Sequence, residues 1–356
     1  MEEKPKDLMK GIPITDGEKL IRDNQEEIIL KESFKKLYRH PALVERVTRI
    51  EKSIQDFIRN NDGQPQILYD AANHLIQAGG KRTRSLLSLL ACESVGGDTE
   101  KALPLTIAAE LLQTASLIHD DIIDAGTTRR GVETVHQKYG HHIAILAGDL
   151  LIAKSIEMIG KHGSTELLQH IGNGGVRMCE GEAIDLALST DKPDVFSKDQ
   201  YFKMIELKTV AFLSESARLG AMMGEGTEDH VEVLSEFGEH LGYAFQIQDD
   251  MLDMRTTHEE SGKVPLADLK SRRCNFLLVH ALEVSHQSHI DTINQAINEG
   301  KFFDAAEYIL ETGAEQVAMD LAEGYVKKAK ETLLQSNLRG IDLLNEFADS
   351  VIHRNR

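Results

Sequence analysis

The chain has 356 residues, 41% of them hydrophobic and 28% charged, which suits a globular protein with a sizeable core. Its formal net charge of −18 argues against nucleic acid or an anionic membrane as the main partner, because both require clustered cations. The three cysteines lack zinc-ligand spacing and are odd in number, so we expect a reducing, cytoplasmic setting without a disulfide framework.

The N-terminal residues 1–27 are polar and contain two prolines and two glycines, which predicts a weakly docked extension without chemistry. The beginning of the chain lacks a signal-sequence pattern, and acidic residues interrupt the apolar runs, so we expect no integral membrane segment. The next stretch predicts an amphipathic helix, because its apolar residues alternate spacings of four and three. These residues are Leu43, Val47, Ile50, Ile54 and Phe57.

Helical periodicity, a low aromatic content and few prolines persist to the C-terminus, and no β-hairpin signal is present. We therefore predict an all-α fold in which residues 28–356 form a single helical domain. Two stretches without helical character, 189–194 and 255–268, are predicted loops.

A basic run, Lys81, Arg82 and Arg84, follows the glycine pair Gly79–Gly80. Glycine allows the backbone to approach an anion closely, and arginine can bind phosphate through two parallel hydrogen bonds. The same run also fits an ordinary charged helix start, so it is a weak motif by itself.

The stretch that organises the chain is 113–124, an apolar helical run that ends in Asp120, Asp121 and Asp124. On a helix, Asp120 and Asp124 project from one face roughly 6 Å apart and repel each other. Aspartate is also unfavourable inside a helix, because its side chain competes for backbone hydrogen bonds. A cation is therefore expected to compensate this cluster.

The same spacing recurs in Asp249, Asp250 and Asp253, again after an apolar run, which predicts two facing helices. Carboxylate oxygens suit Mg²⁺, which usually takes one or two carboxylates together with the phosphates of a substrate. The predicted substrate is therefore a polyphosphate. Arg129–Arg130 lies just beyond the first cluster, where arginines can hold the outer oxygens of a diphosphate.

Together these segments resemble the trans-prenyl diphosphate synthases of the polyprenyl synthetase family, from about residue 65 to residue 356. The two aspartate clusters match the family's two DDxxD motifs. The remaining matches are GGKRTR at 79–84, RRG at 129–131, AILAGD at 144–149, Lys208–Thr209 and Phe245–Gln246. Family membership implies an all-α antiparallel bundle of the isoprenoid synthase type around a deep central cavity, and a homodimer.

The resemblance also implies a role for each matching residue. The implied Mg²⁺ ligands are Asp120, Asp121, Asp124, Asp249, Asp250 and Asp253. The implied contacts of the allylic diphosphate are Arg129, Lys208 and Lys263. The implied contacts of isopentenyl diphosphate are Lys81, Arg84, Gln113 and Arg130, while Thr209 and Gln246 line the reacting centre. The implied catalytic groups are Asp120, Asp121, Asp249 and Lys208.

The expected function is that of a prenyltransferase that condenses isopentenyl diphosphate with an allylic prenyl diphosphate by Mg²⁺-assisted ionisation. One alternative is a non-catalytic subunit of a hetero-oligomeric prenyl synthase, although such subunits tend to lose aspartates and this chain keeps all six. A class I terpene cyclase would not need Lys81, Arg84 and Arg130. A di-iron bundle would require Glu-x-x-His pairs, which we do not find.

Some positions depart from the family pattern. Ser85 replaces a proline after GGKRTR, Arg273 stands where lysine is usual, and Cys274 begins a run that replaces Thr-Leu-Pro. We expect the segment after the second cluster to close differently, and His119 and His136 to have structural roles.

Product length is expected to depend on the helix below the first cluster. Ala115 and Ser116 lie about one turn below the first cluster. In the family that the chain resembles, small residues at these positions leave a path open for a growing chain. The expected product is therefore geranylgeranyl diphosphate or longer, with the floor of the path set deeper by Ile152 or Ile156.

Overall fold

A computed structural model describes residues 34–35, 37–189, 197–254, 265–334 and 336–352. The first helices are α1 (Pro41–Asn60), α2 (Gln66–Gln77), α3 (Thr83–Ser94), α4 (Thr99–Ile123), α5 (Val135–Tyr139), α6 (His141–His162) and α7 (Thr165–Leu188). The next are α8 (Lys198–Ile205), a π-helix (Glu206–Val210), α9 (Ala211–Met223) and α10 (Glu228–Met254). The last are α11 (Ala267–Lys270), α12 (Phe276–Val284), α13 (Gln287–Asn298), α14 (Phe302–Leu310), α15 (Ala314–Leu333) and α16 (Ile341–Ile352).

The described residues form a helical bundle, and the predicted all-α class is confirmed. Helix α4 packs along α6 and against α3, while α10 packs between α9 and α15. The predicted first helix is confirmed as α1: the first four of its five apolar residues are buried and Phe57 packs against the core. The predicted extension 1–27 and most of the two predicted loops lie outside the described residues. The predicted C-terminal boundary of the second loop is wrong, because Asp268, its last residue, lies in the short helix α11.

Helix α4 carries the first aspartate cluster at its C-terminal end. The Asp98 side chain caps its N-terminus by accepting from Glu100 N, and 13 of its 25 residues are buried. The helix stops at Asp124, after which Ala125 takes a left-handed conformation (φ 52°). Helix α10 likewise ends just after Asp253. Both clusters therefore lie at helix C-termini, where the helix dipole adds negative potential and favours a bound cation.

A short β-hairpin follows the first aspartate cluster. Strands β1 (Thr128–Arg129) and β2 (Val132–Glu133) pair antiparallel across a two-residue turn. Both turn residues have positive φ, 54° at Arg130 and 76° at Gly131, as a type I′ turn requires. The prediction that the chain has no hairpin is wrong here, because arginine at a left-handed position is not a recognised hairpin signal. The turn fixes the direction of Arg130.

Three groups of buried apolar side chains hold the bundle together. The largest group is formed by side chains of α1, α2, α3, α4, α6, α9, α10, α15 and α16. The second group is formed by side chains of α8 and of every helix from α10 through α15. A third, smaller group lies between α4, α6, α7 and α9: Leu105, Ala108, Ile159, Leu167 and Leu219. Among the described residues, no helix is long and apolar enough to cross a lipid bilayer.

Candidate active site

The first aspartate cluster combines a buried carboxylate with two more accessible ones. Asp121 is buried, and its Oδ1 accepts a hydrogen bond of 2.6 Å from Arg129 Nε. Its Oδ2 is buried without a hydrogen-bond partner in the described structure. Burial raises the pKa of Asp121, with Arg129 acting in the opposite direction. An orphaned, buried carboxylate oxygen of this kind is where an additional cation would be most stabilising.

Asp120 lies next to Asp121 and is partly exposed. Burial and the neighbouring Glu182 raise the pKa of Asp120 to about 7, although Lys208 and Arg129 oppose the shift. The negative charge at this position is therefore only partly compensated by the protein. Its environment favours the binding of a proton or a metal cation.

The second cluster is held mainly by the protein itself. Asp250 is 2% exposed, and its carboxylate accepts hydrogen bonds of 2.8 Å from Tyr201 OH, Gln246 Nε2 and Phe276 N. Burial and the charge of Asp268 raise its pKa well above the usual range, against these hydrogen bonds. Asp253 is also buried and accepts from the backbone N–H groups of residues 267 and 268.

Asp249 is the more exposed member of this cluster. The two buried carboxylates, Asp250 and Asp253, orient the end of α10 and the start of α12, and Asp249 is the most accessible carboxylate of the cluster. That all three bind metal directly or through water stays a prediction.

A third helix contributes two carboxylates that the sequence did not reveal. Glu182 and Asp185 of α7 lie 2.5 and 2.6 Å from Lys208 Nζ. Arg273 Nη1 lies 2.9 Å from Asp185 Oδ2, and Arg273 Nη2 donates to Asp124 of the first cluster. The carboxylates outweigh burial and raise the pKa of both Lys208 and Arg273, which keeps both cations charged. The only sequence signal was the Glu-x-x-Asp spacing, which is also common on solvated helices.

Arg273 connects the two aspartate clusters. It pairs with Asp124, while Asn275 and Phe276 directly after it donate to the backbone oxygen and the carboxylate of Asp250. Arg273, Asn275 and Phe276 depart from the family pattern, and their contacts connect the second cluster to the first. That the two clusters form one metal site stays a prediction.

Lys208 and Thr209 lie in the π-helix between α8 and α9. Single turns of π-helix are found frequently at functional sites. Thr209 Oγ1 donates to Gln246 Oε1 at 2.7 Å, so this predicted pair is brought together. The π-helix backbone also lies against Gly181 of α7: a Cβ at Gly181 would lie 2.4 Å from Lys208 N. Only glycine permits this approach.

We expect Gly181→Ala to push the π-helix away from α7 and to displace Lys208. Because misplacement of a catalytic group by about 1 Å can cost 10²-fold in rate, kcat should fall roughly 10- to 100-fold. Gly172→Ala on the exposed side of the same helix is the matched control, since a Cβ there meets nothing within 4 Å. Equal kcat values in the two variants would contradict the requirement for close contact.

The basic residues predicted to bind the second substrate also converge. The Arg84 guanidinium lies 4.8 Å from the centre of the Phe212 ring and 5.8 Å from that of Phe245. Arg130 Nη1 donates to Leu75 O, and its guanidinium carbon lies 3.0 Å from where a Cβ at Gly80 would be. Gly80 thus makes room for Arg130. Gln113 is partly exposed on α4, seven residues before Asp120, and Lys263 lies outside the described residues.

The two histidines have the structural surroundings that were expected. His119 Nε2 lies 3.2 Å from Ile145 O on α6, and Gly148 leaves room for the ring, because a Cβ there would lie 2.2 Å from Nε2. His136 is buried, and burial lowers its pKa.

The donor set fits Mg²⁺ better than a softer metal. The accessible groups are carboxylates, hard oxygen donors that suit an ion which completes its shell with water and phosphate oxygens. Asp120, Asp124, Asp249 and the orphaned oxygen of Asp121 are the groups that could hold it.

An all-α bundle with aspartate clusters on α4 and α10, and with cations close to them, is the arrangement expected of an enzyme that acts on diphosphates. The sequence model of the polyprenyl synthetase family matches residues 65–312, and the chain belongs to this family. The predicted family and the predicted enzyme class, a trans-prenyltransferase, are confirmed.

The chain is 35% identical over 316 residues to a short chain isoprenyl diphosphate synthase of Methanothermobacter thermautotrophicus, which covers 86% of this chain and 94% of the relative. It is 33% identical over 297 residues to a geranylgeranyl diphosphate synthase of Methanosarcina mazei, covering 82% and 91%. A polyprenyl synthase from Caulobacter crescentus, solved with calcium and isoprenyl diphosphate, superposes with a TM-score of 0.81. It shares 29% identity and covers 88% of this chain and 97% of that one.

Proposed function

We propose that this protein condenses isopentenyl diphosphate with an allylic prenyl diphosphate and releases a trans-polyprenyl diphosphate of geranylgeranyl length or longer. The observation that supports the proposal most is the link through Arg273. Arg273 pairs with Asp124 of α4 and with Asp185, which also pairs with Lys208, and Phe276 shortly after it donates to Asp250 of α10. Relatives named geranylgeranyl and geranylfarnesyl diphosphate synthases support it.

In this proposal the residues of the chain divide into two pockets. Arg129 and Lys208, with Lys263, hold the allylic diphosphate, while Lys81, Arg84, Gln113 and Arg130 hold isopentenyl diphosphate. Mg²⁺ bound by the aspartates would neutralise the charge that develops on the departing diphosphate. Thr209 and Gln246 line the reacting carbons without offering a strong nucleophile, and the closed bundle excludes water from the allylic cation. The released diphosphate accepts the proton that is lost.

The test is direct. Purified protein is incubated with Mg²⁺, labelled isopentenyl diphosphate and each allylic primer in turn, and the products are sized. We expect chain elongation by the protein alone. Elongation that requires a second protein would favour a subunit of a hetero-oligomer, and diphosphate release from the primer without elongation would favour a cyclase.

We further propose a homodimer that pairs through α6 and α7. Only four of the 24 residues of α7 are buried. The two helices expose large apolar side chains: Ile145, Leu146, Ile156, Leu168, Val176 and Leu186. A second copy would remove this surface from water.

We also propose that residues 28–356 form one domain and that the protein works in the cytoplasm, as its cysteine content suggests.

Val176→Glu is expected to shift the protein to a monomer, because it places a charge at the most exposed apolar position of this face (58%). Val317→Glu is the matched control. Val317 lies on α15, far from α7 in the chain, and is 38% exposed. Light scattering after size exclusion gives the mass of each variant. A monomeric parent, or a dimeric Val176→Glu, would contradict the proposed interface.

A further inference from the structure

A buried ionic cluster lies directly behind the basic loop at 79–84. The Arg82 side chain is fully buried, with Nε 2.7 Å from Glu51 Oε2 and Nη1 3.2 Å from Glu110 Oε2. Its Nη2 also donates to Ile76 O at 3.1 Å. Of the three loop cations, Arg82 is therefore turned inward, away from any ligand. A fully buried arginine is retained only when its partners are well placed, because burying a charge is costly.

Ser85 completes this cluster. Its hydroxyl is buried and lies 2.9 Å from Glu110 Oε1 and 3.0 Å from Thr106 O. Both carboxylate oxygens of Glu110 thus have partners, one from Arg82 and one from Ser85. The proline that is usual in the family at this position could not supply such a donor. The departure noted in the sequence therefore has a structural consequence.

The cluster has one more carboxylate than it has cations, and the excess charge faces the neighbouring cations. Burial alone would raise the pKa of Glu110, but Arg82 and Arg130, with smaller contributions from Ser85 and Arg84, lower it, so the group stays ionised. Burial and the nearby Arg82 lower the pKa of Arg130 to about 10, while Glu110 opposes this. Glu110 is therefore the shared counter-charge that allows several cations to crowd together before an anion arrives.

The cluster also fixes the backbone of the loop. Arg82 adopts a left-handed conformation (φ 51°) at the start of α3, which is unfavourable for a residue other than glycine and persists only where the surroundings enforce it. Lys81 and Arg84 flank this residue, so their directions depend on it. Lys81 O is held in turn by Tyr38 OH at 2.7 Å.

We propose that Glu110, together with Ser85, is a positioning residue for the isopentenyl diphosphate pocket: it anchors Arg82 and thereby pre-places Lys81, Arg84 and Arg130. This inference rests on the function proposed above. Neither Glu110 nor Ser85 contacts the substrate, and the pair acts on the second substrate alone.

The test compares the KM values of the two substrates. Ser85→Ala and Glu110→Gln should each raise the KM for isopentenyl diphosphate about tenfold, the effect of losing one hydrogen bond to a charged group. The KM for the allylic primer and kcat should stay near the parent values. Ser88→Ala is the matched control, since Ser88 lies on the same helix and its buried hydroxyl donates to Ser216 O at 2.7 Å. Melting temperatures are measured for all three variants.

Lys81→Ala is measured in parallel to separate this inference from the proposed function. If it raises the KM for isopentenyl diphosphate while Ser85→Ala matches Ser88→Ala, the pocket stands and the positioning role is wrong. If Lys81→Ala also has no effect, the pocket itself is misplaced and the inference falls with it. Equal increases in both KM values for Ser85→Ala would likewise overturn the role. Should Glu110→Gln fail to fold, Ser85→Ala decides alone.

Discussion

Asp120→Asn and Asp249→Asn are each expected to lower kcat about 10²–10³-fold, the usual effect of removing one electrostatic stabiliser of a transition state. Each variant removes a negative charge and keeps the volume of the side chain. Asp120 carries an under-compensated charge, with its pKa raised to about 7 by burial and by Glu182. Asp249 is the partly exposed acid of its cluster. Both side chains are partly exposed, where a metal ion can reach their carboxylates.

The fold should survive both substitutions, because neither side chain fills the apolar core. Turnover is measured at fixed Mg²⁺ concentration, with circular dichroism to verify the fold. Asp70→Asn is the matched control, since Asp70 is exposed on α2 and accepts from Gln66 Nε2 one turn away. Near-normal turnover in either test variant would remove the basis for a metal site shared between two clusters.

Asp250→Asn should differ from these two variants, because it disturbs hydrogen bonds within the protein. Both oxygens of Asp250 accept from protein donors. An amide nitrogen in place of one oxygen would face a donor, which leaves a buried polar group unsatisfied. The sequence presents three similar aspartates in each cluster, but the structure separates the buried ones, Asp121, Asp250 and Asp253, from the more accessible ones, Asp120, Asp124 and Asp249.

Helical periodicity was sufficient to predict the class of the fold and the position of both aspartate clusters. Residues at i and i+4 share a face in any helix, so this prediction needed no tertiary information. The pairing of Lys208 with Glu182 and Asp185 could not be predicted in this way, because 23 and more residues separate the partners and nothing local specifies the contact. The same holds for Arg273 and Asp124, which are 149 residues apart.

Local conformation was harder to predict than helical class. The π-helix that carries Lys208 has no established sequence signature, and it depends on the close contact with Gly181. Arg130 and Arg82 both take left-handed conformations that arginine rarely adopts. In each case tertiary contacts enforce a conformation that propensity disfavours, and in each case the residue lies at the proposed site. This is where local rules are expected to fail.

The structure also refines the path of a growing product chain along α4. Ala115 is buried in the main core at 1% exposure, whereas Ser116 is partly exposed. Leu112, Ser116 and Asp120 are four residues apart and all partly exposed, so they share one face below the first cluster. Ser116, rather than Ala115, is therefore the small residue beside the path. Ile156 is half exposed, which does not favour it as the floor of the path, whereas Ile152 is partly buried.

A better candidate for the floor is the small buried group that includes Ala108 of α4. Ala108 is 12 residues from Asp120, which places it about 18 Å lower along the helix. The small group also includes side chains of α6, α7 and α9, which pack together at this level. A floor about 18 Å below the first cluster is in keeping with the expected product of geranylgeranyl length or longer.

Ser116→Phe is accordingly expected to shift the main product to a shorter chain, because an aromatic ring would enter the path about 6 Å below Asp120. The first condensation takes place above this position and should be little affected. Products are sized after incubation with labelled isopentenyl diphosphate, with Ser116→Ala as the control for loss of the hydroxyl. Ala115→Phe should instead destabilise the core by about 1–3 kcal/mol through overpacking, seen as a lower melting temperature. If Ser116→Phe and the parent give the same product distribution, the growing chain does not follow this face of α4.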